Sequence, residues 1–413
     1  MRKIIRFLIF FIVFHSFLFN LAEAQLVIGQ YEDEAPFRTW NIFGIKTASS
    51  FGRGEALIAA GSDCSVALTN PALLTTLPKI GFLGNVSLNA ASFFKYSVVN
   101  TGPVATETPM YSRYFGFDFI GFSLHLGQWG LALSWGEVEN YSRPETRAEY
   151  SSQGTLRYYL QLDQKGSLYN VNLSLSRLLF KGISVGIGIN YTYGNLNKDI
   201  TEWWLRDEIT ITDSKSHKLS GIYLNGGFLC ELSRRLRLGA AFRSPFAKNS
   251  ESHSLLRFLC PGTETDIRIE SSSNDTFRQP WIVGVGVSYF LSQNLLLASD
   301  VTYFKWSDYS VNYFGEPLKR DFKDVVKASL GLEYRGSFWL FRKKVDSPTR
   351  IGFVYDPQPM REPDSSYYYF TLGTGLEWRG LYLDGALLMG REIGSEKSLS
   401  AMKIAITLGY MVN

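Results

Sequence analysis

Trp281-Ile282-Val283-Gly284-Val285-Gly286-Val287-Ser288-Tyr289-Phe290-Leu291 is the stretch whose reading decides the fold. Its odd positions carry Trp, Val, Val, Val, Tyr and Leu, while positions 284, 286 and 288 carry Gly, Gly and Ser. Successive side chains of a β-strand point to opposite faces, so one face suits lipid and the other suits a lumen. The segments 183–192, 326–334 and 402–410 repeat the alternation. A soluble sandwich also alternates, and the links between segments therefore carry the decision.

From Lys79 onward fourteen such segments can be counted, each about long enough for the ~9–11 residues of a membrane strand. The links fall into two alternating classes. Residues 127–129, 181–182, 233–234, 292–293 and 379–380 are short, with 336–347 as an exception. Residues 91–112, 141–166, 196–217, 245–277, 307–321, 357–366 and 391–397 are longer and polar. Short turns on one side and long loops on the other describe an outer-membrane barrel. The expected fold is all-β, a 14-stranded antiparallel transmembrane β-barrel over 79–413 with both termini in the periplasm.

Residues 1–24 read as a signal peptide: Arg2, Lys3 and Arg6 precede an apolar run, and Ala22-Glu23-Ala24 is a small-x-small cleavage site. No apolar run downstream approaches the ~18 residues of a transmembrane helix. Residues 25–78 are expected to form an N-terminal plug, or hatch, in the lumen. The stretch from Thr47 to Leu77 is rich in Ala, Ser and Gly and lacks alternation. A barrel this wide leaves a lumen that its own side chains do not fill. The alternative is a periplasmic tail.

Aromatic residues make up 15% of the chain and glycines number 37, as suits a barrel with aromatic girdles and tight turns. A net charge of +4 argues for no particular charged partner. Cys64, Cys230 and Cys260 are odd in number and scattered, which suits neither a disulfide framework nor a metal site.

The segment Asp63-Cys64-Ser65-Val66-Ala67, followed by Asn70-Pro71-Ala72 ahead of the first strand, resembles the outer-membrane long-chain fatty acid and aromatic hydrocarbon transporters. Asp300-Val301-Thr302-Tyr303-Phe304-Lys305-Trp306-Ser307 and residues 350–359 are similar to that family as well. The resemblance implies a fourteen-stranded barrel with a hatch. It also implies uptake of a hydrophobic small molecule through an extracellular groove, with release through a gap in the wall into membrane lipid. Leu73-Leu74 stands where the family often has Gly, which puts the local turn in question. Related hatch-bearing barrels are accessory parts of secretion systems, so a non-transporting partner of surface proteins is the second expectation. The barrel assembly machinery is an expected partner during biogenesis.

Trp203-Trp204-Leu205 and Leu255-Leu256 with Phe258 are candidate groove residues, because apolar clusters in exposed loops are costly unless covered. Packing on one another as a cap is the alternative. On the lumen face Asp300, Lys327, Glu333, Arg350, Asp356, Glu377, Asp384 and Lys403 bring both signs of charge together. They are expected to pair with one another and with the hatch rather than to clamp a carboxylate. From Arg113 to Leu126 the alternation changes phase. Phe115, Phe117 and Phe119 share one parity and Ile120, Phe122, Leu124 and Leu126 the other, so a bulge is expected near Phe119-Ile120-Gly121. The following segment carries Gly136, and a lateral exit is expected between the two, with a harmless bulge as the alternative.

Catalysis finds little support. Ser123 and His125 share a face, but there is no Gly-x-Ser-x-Gly and no placed acid. His217 and His253 lack metal-ligand spacing, and neither a cofactor nor a nucleic-acid site is indicated.

Overall fold

The computed structural model describes residues 42–412 apart from 101–102, 143–145, 153–154, 207, 314–315, 319–320, 341–342, 362–363 and 395–399. The expected signal peptide and residues 25–41 of the hatch region lie outside the described residues. Fourteen antiparallel strands close into a barrel. They are β1 (Ile80–Asn100), β2 (Pro103–Leu126), β3 (Trp129–Asn140), β4 (Thr155–Phe180), β5 (Ile183–Trp204) and β6 (Ile209–Glu231). β7 runs Leu236–Arg243 and resumes as Phe246–Cys260, and β8 runs Thr265–Gln279 and resumes as Ile282–Phe290. Then come β9 (Leu295–Phe304), β10 (Val325–Leu340), β11 (Lys343–Pro357), β12 (Ser366–Trp378), β13 (Leu381–Ile393) and β14 (Ser400–Val412). β1 closes on β14, from Ile80 opposite Val412 to Ala91 opposite Ala401. The breaks in β7 and β8 fall at Pro245 and Pro280, because proline has no N–H to give a ladder.

The alternation behaves as a membrane wall requires. In β8, Val283, Val285, Val287 and Tyr289 are exposed while Gly284, Gly286 and Ser288 face inward and are buried. Exposed Leu, Ile, Val and aromatic side chains recur on the outer parity of every strand. Among the described residues no helix is long and apolar enough to cross a membrane; the strands do so.

One barrel end carries tight turns and the C-terminal end of the described chain, whereas Ile42, the first described residue, packs toward the other end. The 336–347 exception is a correction: β10 and β11 continue as a hairpin to Leu340 opposite Lys343, joined by two residues. The other end is also not loop-like as expected. Much of 91–112, 141–166, 196–217 and 245–277 is strand, because the ladders of β1/β2, β4/β5, β5/β6, β6/β7 and β7/β8 continue well above the wall. They form a tower of sheet, to which the short strand Thr146–Ser152 adds, pairing with β4 and with the top of β1.

Candidate functional site

The hatch, residues 42–78, is almost entirely buried within the barrel. Its three short helices span Ala48–Gly52, Cys64–Leu68 and Pro71–Thr76. Asp63, 3% exposed, gathers the first two: it accepts from Thr47 Oγ1 at 2.8 Å, Ser49 Oγ at 3.0 Å and Ser65 N at 2.9 Å. Asn70 starts the third by accepting from Ala72 N at 3.2 Å, with Pro71 at the first helical position, where a missing N–H costs nothing. Its amide also donates to Ile58 O at 2.7 Å and to Phe228 O of β6 at 3.1 Å, tying hatch to wall. The helix continues through buried Leu73 and Leu74, so the turn needs no glycine there. The glycine is in the wall instead: a Cβ on Gly227 would stand 1.9 Å from Asn70 Oδ1.

The lumen charges meet the hatch and one another. Asp300 on β9 accepts from Leu57 N at 2.6 Å and Ile58 N at 2.8 Å. Glu333 on β10 accepts from Arg53 at 2.6 Å and Arg350 at 2.8 Å, and Arg350 also donates to Asp384 at 2.7 Å. Lys327 bridges Glu55 of the hatch at 2.8 Å and Asp356 at 3.4 Å. Lys403 pairs with Asp118 across the wall at 2.8 Å. Glu377 is exposed near the turn end and stands apart from this set. Asp300 thus holds the hatch directly, while Arg350 and Asp356 pair with Glu333 and Lys327, the wall residues that do so.

Above the hatch one contiguous apolar cluster fills the lumen. It joins Ile42 and Phe43 of the hatch, Tyr141, Leu168, Leu196 and Leu219 of the wall side, and Trp306, Tyr309 and Phe322 from the link between β9 and β10. Higher still, the inner face of the tower carries apolar side chains in three cross-strand rows. Leu162, Ile200, Asp213, Leu256 and Ile269 form one; Glu202, Ile211, Phe258 and Ile267 form the next; Tyr158, Trp204 and Ile209 form the third. Trp204 stacks on Tyr158 at 4.5 Å and donates to Glu202 at 3.0 Å. Ile267 and Ile269 are 50% and 58% exposed, so this face is open rather than packed shut.

The proposed groove residues therefore divide. Trp204, Leu256 and Phe258 share the inner face, Trp203 and Leu255 take the outer parity, and Leu205 lies exposed in the turn. Ile200, Ile211, Ile267 and Ile269 were missed because their segments read as loops; Ile209-x-Ile211 and Ile267-x-Ile269 carry the period of two that marks them. On the outer edge of the tower, hydrogen bonds from Arg257 and then Arg268 hold the Asp266 carboxyl down at about 2.

The phase change in β2 is a register shift. Val86 of β1 pairs with Phe117 and Asn85 with Phe119, so Asp118 is the extra residue. Phe115 and Phe117 point outward, Asp118 and Phe119 both inward, and Ile120 and Phe122 outward again. Phe119 thus differs from its expected face, because the bulge comes one residue earlier than Ile120. Phe119 opposite Gly136 is also the last described pair between β2 and β3. Above it β2 continues along β1 to Pro103, while β3 continues along β4 to Asn140. Inside this interruption sit Ile45, Cys64, Leu68, Leu83 and Phe119 in one apolar cluster. Outside it, Phe117 stacks on Trp135 at 6.0 Å.

The remaining polar candidates are engaged structurally. The exception is Ser123, which is buried with its hydroxyl unpartnered among the described residues, while His125 bonds through Nδ1 to Leu77 O at 2.9 Å. His217 and His253 lie in β6 and β7 rather than loops, each bonded to a serine, Ser252 and Ser272. Among the described residues no group of three His, Cys, Asp or Glu converges as metal ligands.

A family profile named BamG matches residues 52–395, from within the hatch to β13 and beyond. The chain belongs to the BamG family. No curated protein matches it. Solved structures similar to this BamG-family barrel include a Pseudomonas aeruginosa FadL homologue, 13% identical, covering 90% of this chain and 100% of its own with a TM-score of 0.65. The Pseudomonas putida toluene transporter TodX is 12% identical with a TM-score of 0.64, covering 90% of this chain and 100% of its own. The Ralstonia pickettii toluene transporter TbuX is 14% identical with a TM-score of 0.61, covering 91% of this chain and 100% of its own. The resemblance drawn from the Asn-Pro-Ala segment thus holds at the level of fold, a plugged barrel of the outer-membrane type.

Proposed function

We propose that this BamG-family barrel takes up hydrophobic small molecules, long-chain fatty acids or aromatic hydrocarbons, by passive diffusion. The tower faces the exterior and the turn end, where β14 finishes, faces the periplasm. The observation that carries the reading is the inward apolar face of the tower, set above the apolar cluster of the lumen with one polar row, Gln164, Lys198, Lys215, Ser254 and Ser271, between them, and the interrupted β2/β3 ladder beside the hatch. A hydrophobic molecule gains roughly 25 cal/mol per Å² on leaving water, so a path of apolar side chains favours it where a water-filled pore does not. The fold of the FadL homologue, TodX and TbuX supports the same reading. Uptake of a fluorescent fatty acid into proteoliposomes tests it. Leu256→Asp with Ile267→Asp should cut uptake at least fivefold, and unchanged uptake would reject the capture face.

The BamG match favours a second reading: a non-transporting barrel serving as accessory partner of a secretion, surface-attachment or barrel-assembly system. Depletion of other outer-membrane proteins on deletion of the gene, in cells that take up fatty acids normally, would favour that reading over the first.

A further inference from the structure

On the lipid-facing side, at the junction of wall and tower, a cavity of about 860 Å³ is lined by residues from β4 to β8. Strand register builds it from two neighbouring cross-strand rows. Asn195, Lys218, Glu251 and Asn274 form the upper row, and Tyr193, Ser220, Asn249 and Thr276 the lower. Tyr169 extends the lower row beside Tyr193 and Tyr191 lies below it, giving aromatic surface continuous with Trp135, which stacks on Tyr169 at 5.1 Å. Trp135 donates to Tyr193 Oη at 2.9 Å, which fixes the Tyr193 ring. Lower again, Ile222 and Ile189 are 61% and 51% exposed and belong to the apolar band. The cavity therefore lies where a headgroup would stand above its acyl chains, and its volume falls in the range of small-molecule sites.

The chemistry of the lining narrows the occupant. Lys218 is the one cation among the lining residues, and Glu251 stands 3.4 Å from it, so the cavity carries no concentration of positive charge for a phosphate. The amides of Asn195, Asn249 and Asn274 are exposed and make no hydrogen bond to the other described residues. Each amide presents two donors and an acceptor, which matches the mixed donor and acceptor character of vicinal hydroxyls. The exposed Tyr191 and Tyr193 faces give flat amphipathic surface beside them. Amides, hydroxyls and aromatic faces at balanced charge are suited to a sugar and poorly suited to an anionic phosphodiester. We propose that this cavity binds the saccharide headgroup of a membrane glycolipid, with the acyl chains lying along the band below.

The test uses the full chain in mixed micelles, with glucosyl-diacylglycerol and phosphatidylglycerol of the same acyl chains as competing probes and native mass spectrometry as readout. The protein should retain the glucolipid at least fivefold over phosphatidylglycerol, and Asn249→Leu with Asn274→Leu should abolish that preference. Both positions face outward, and circular dichroism with heat-dependent gel mobility establishes that the variant is folded. Tyr191→Leu, which keeps apolar area but removes the ring, should weaken retention to a smaller extent. Equal retention of the two lipids, or a preference for phosphatidylglycerol, would overturn the proposal. So would an undiminished glucolipid preference in the folded double asparagine variant.

Discussion

The two flanks of the hatch are held by different physics. Toward β9 and β10 it is held by charge: Arg53 to Glu333, Glu55 to Lys327, and two backbone N–H groups to Asp300. Toward β3–β7 it is held by neutral bonds and close approach. Asn70 donates to Phe228 O, Asn225 and Ser174 donate to Ala67 O, and Thr75 meets Ser184 at 2.8 Å. On that flank the wall presents Gly130, Gly186, Gly227 and Gly239 to hatch backbone or side chain. Buried ion pairs are sensitive to direction and partner, so the charged flank admits one seating of the hatch, whereas the neutral flank is a packed surface that can part in small steps. The interrupted β2/β3 ladder adjoins the neutral flank. The lateral exit proposed there would leave the charged anchor undisturbed.

Substitutions that break one flank at a time sharpen this contrast. Glu333→Gln leaves Arg53 and Arg350 facing each other without their carboxylate and should cost about 3–5 kcal/mol in chemical unfolding. It should also raise single-channel conductance as the hatch loosens; conductance at the wild-type level would mean that the charged flank is not the anchor. Asn70→Ala removes two donated bonds and a helix cap and should cost about 1–3 kcal/mol by the same unfolding assay. Thr75→Val removes a single hydroxyl pair and should cost only about 0.5–1.5 kcal/mol. An effect of Thr75→Val as large as that of Glu333→Gln would erase the distinction between the flanks.

Much of this barrel was legible in the sequence because lipid on one face and lumen on the other impose a period of two. Trp281–Leu291 and Ile183–Thr192 show it without interruption. The Asn70-Pro71-Ala72 segment was legible through its resemblance to a family, while the helix start that a cap followed by proline signals was not read from it. The phase change near Phe119 exposed the bulge to within a residue, since an extra residue must exchange faces. What escaped was the tower. Polar residues on both faces of Asp199–Ser216 hide a ladder that only pairing partners reveal, so strand read as loop. The inward group of Ile200, Ile211, Leu256 and Ile269 escaped for the same reason, because it is assembled from four strands by register. Nor does a sequence show that Glu333 serves Arg53, 280 residues away.

We propose that a captured molecule leaves through the wall between β2 and β3. Cysteines at Phe117 and Val138, above the last ladder pair, joined by a short thiol-to-thiol cross-linker and verified by mass, test it most directly in proteoliposomes. Fatty-acid binding at the tower should remain within twofold of the unlinked protein while uptake falls at least tenfold and returns when the linker is cleaved. Uptake that continues at the unlinked rate through a fully linked barrel would contradict it.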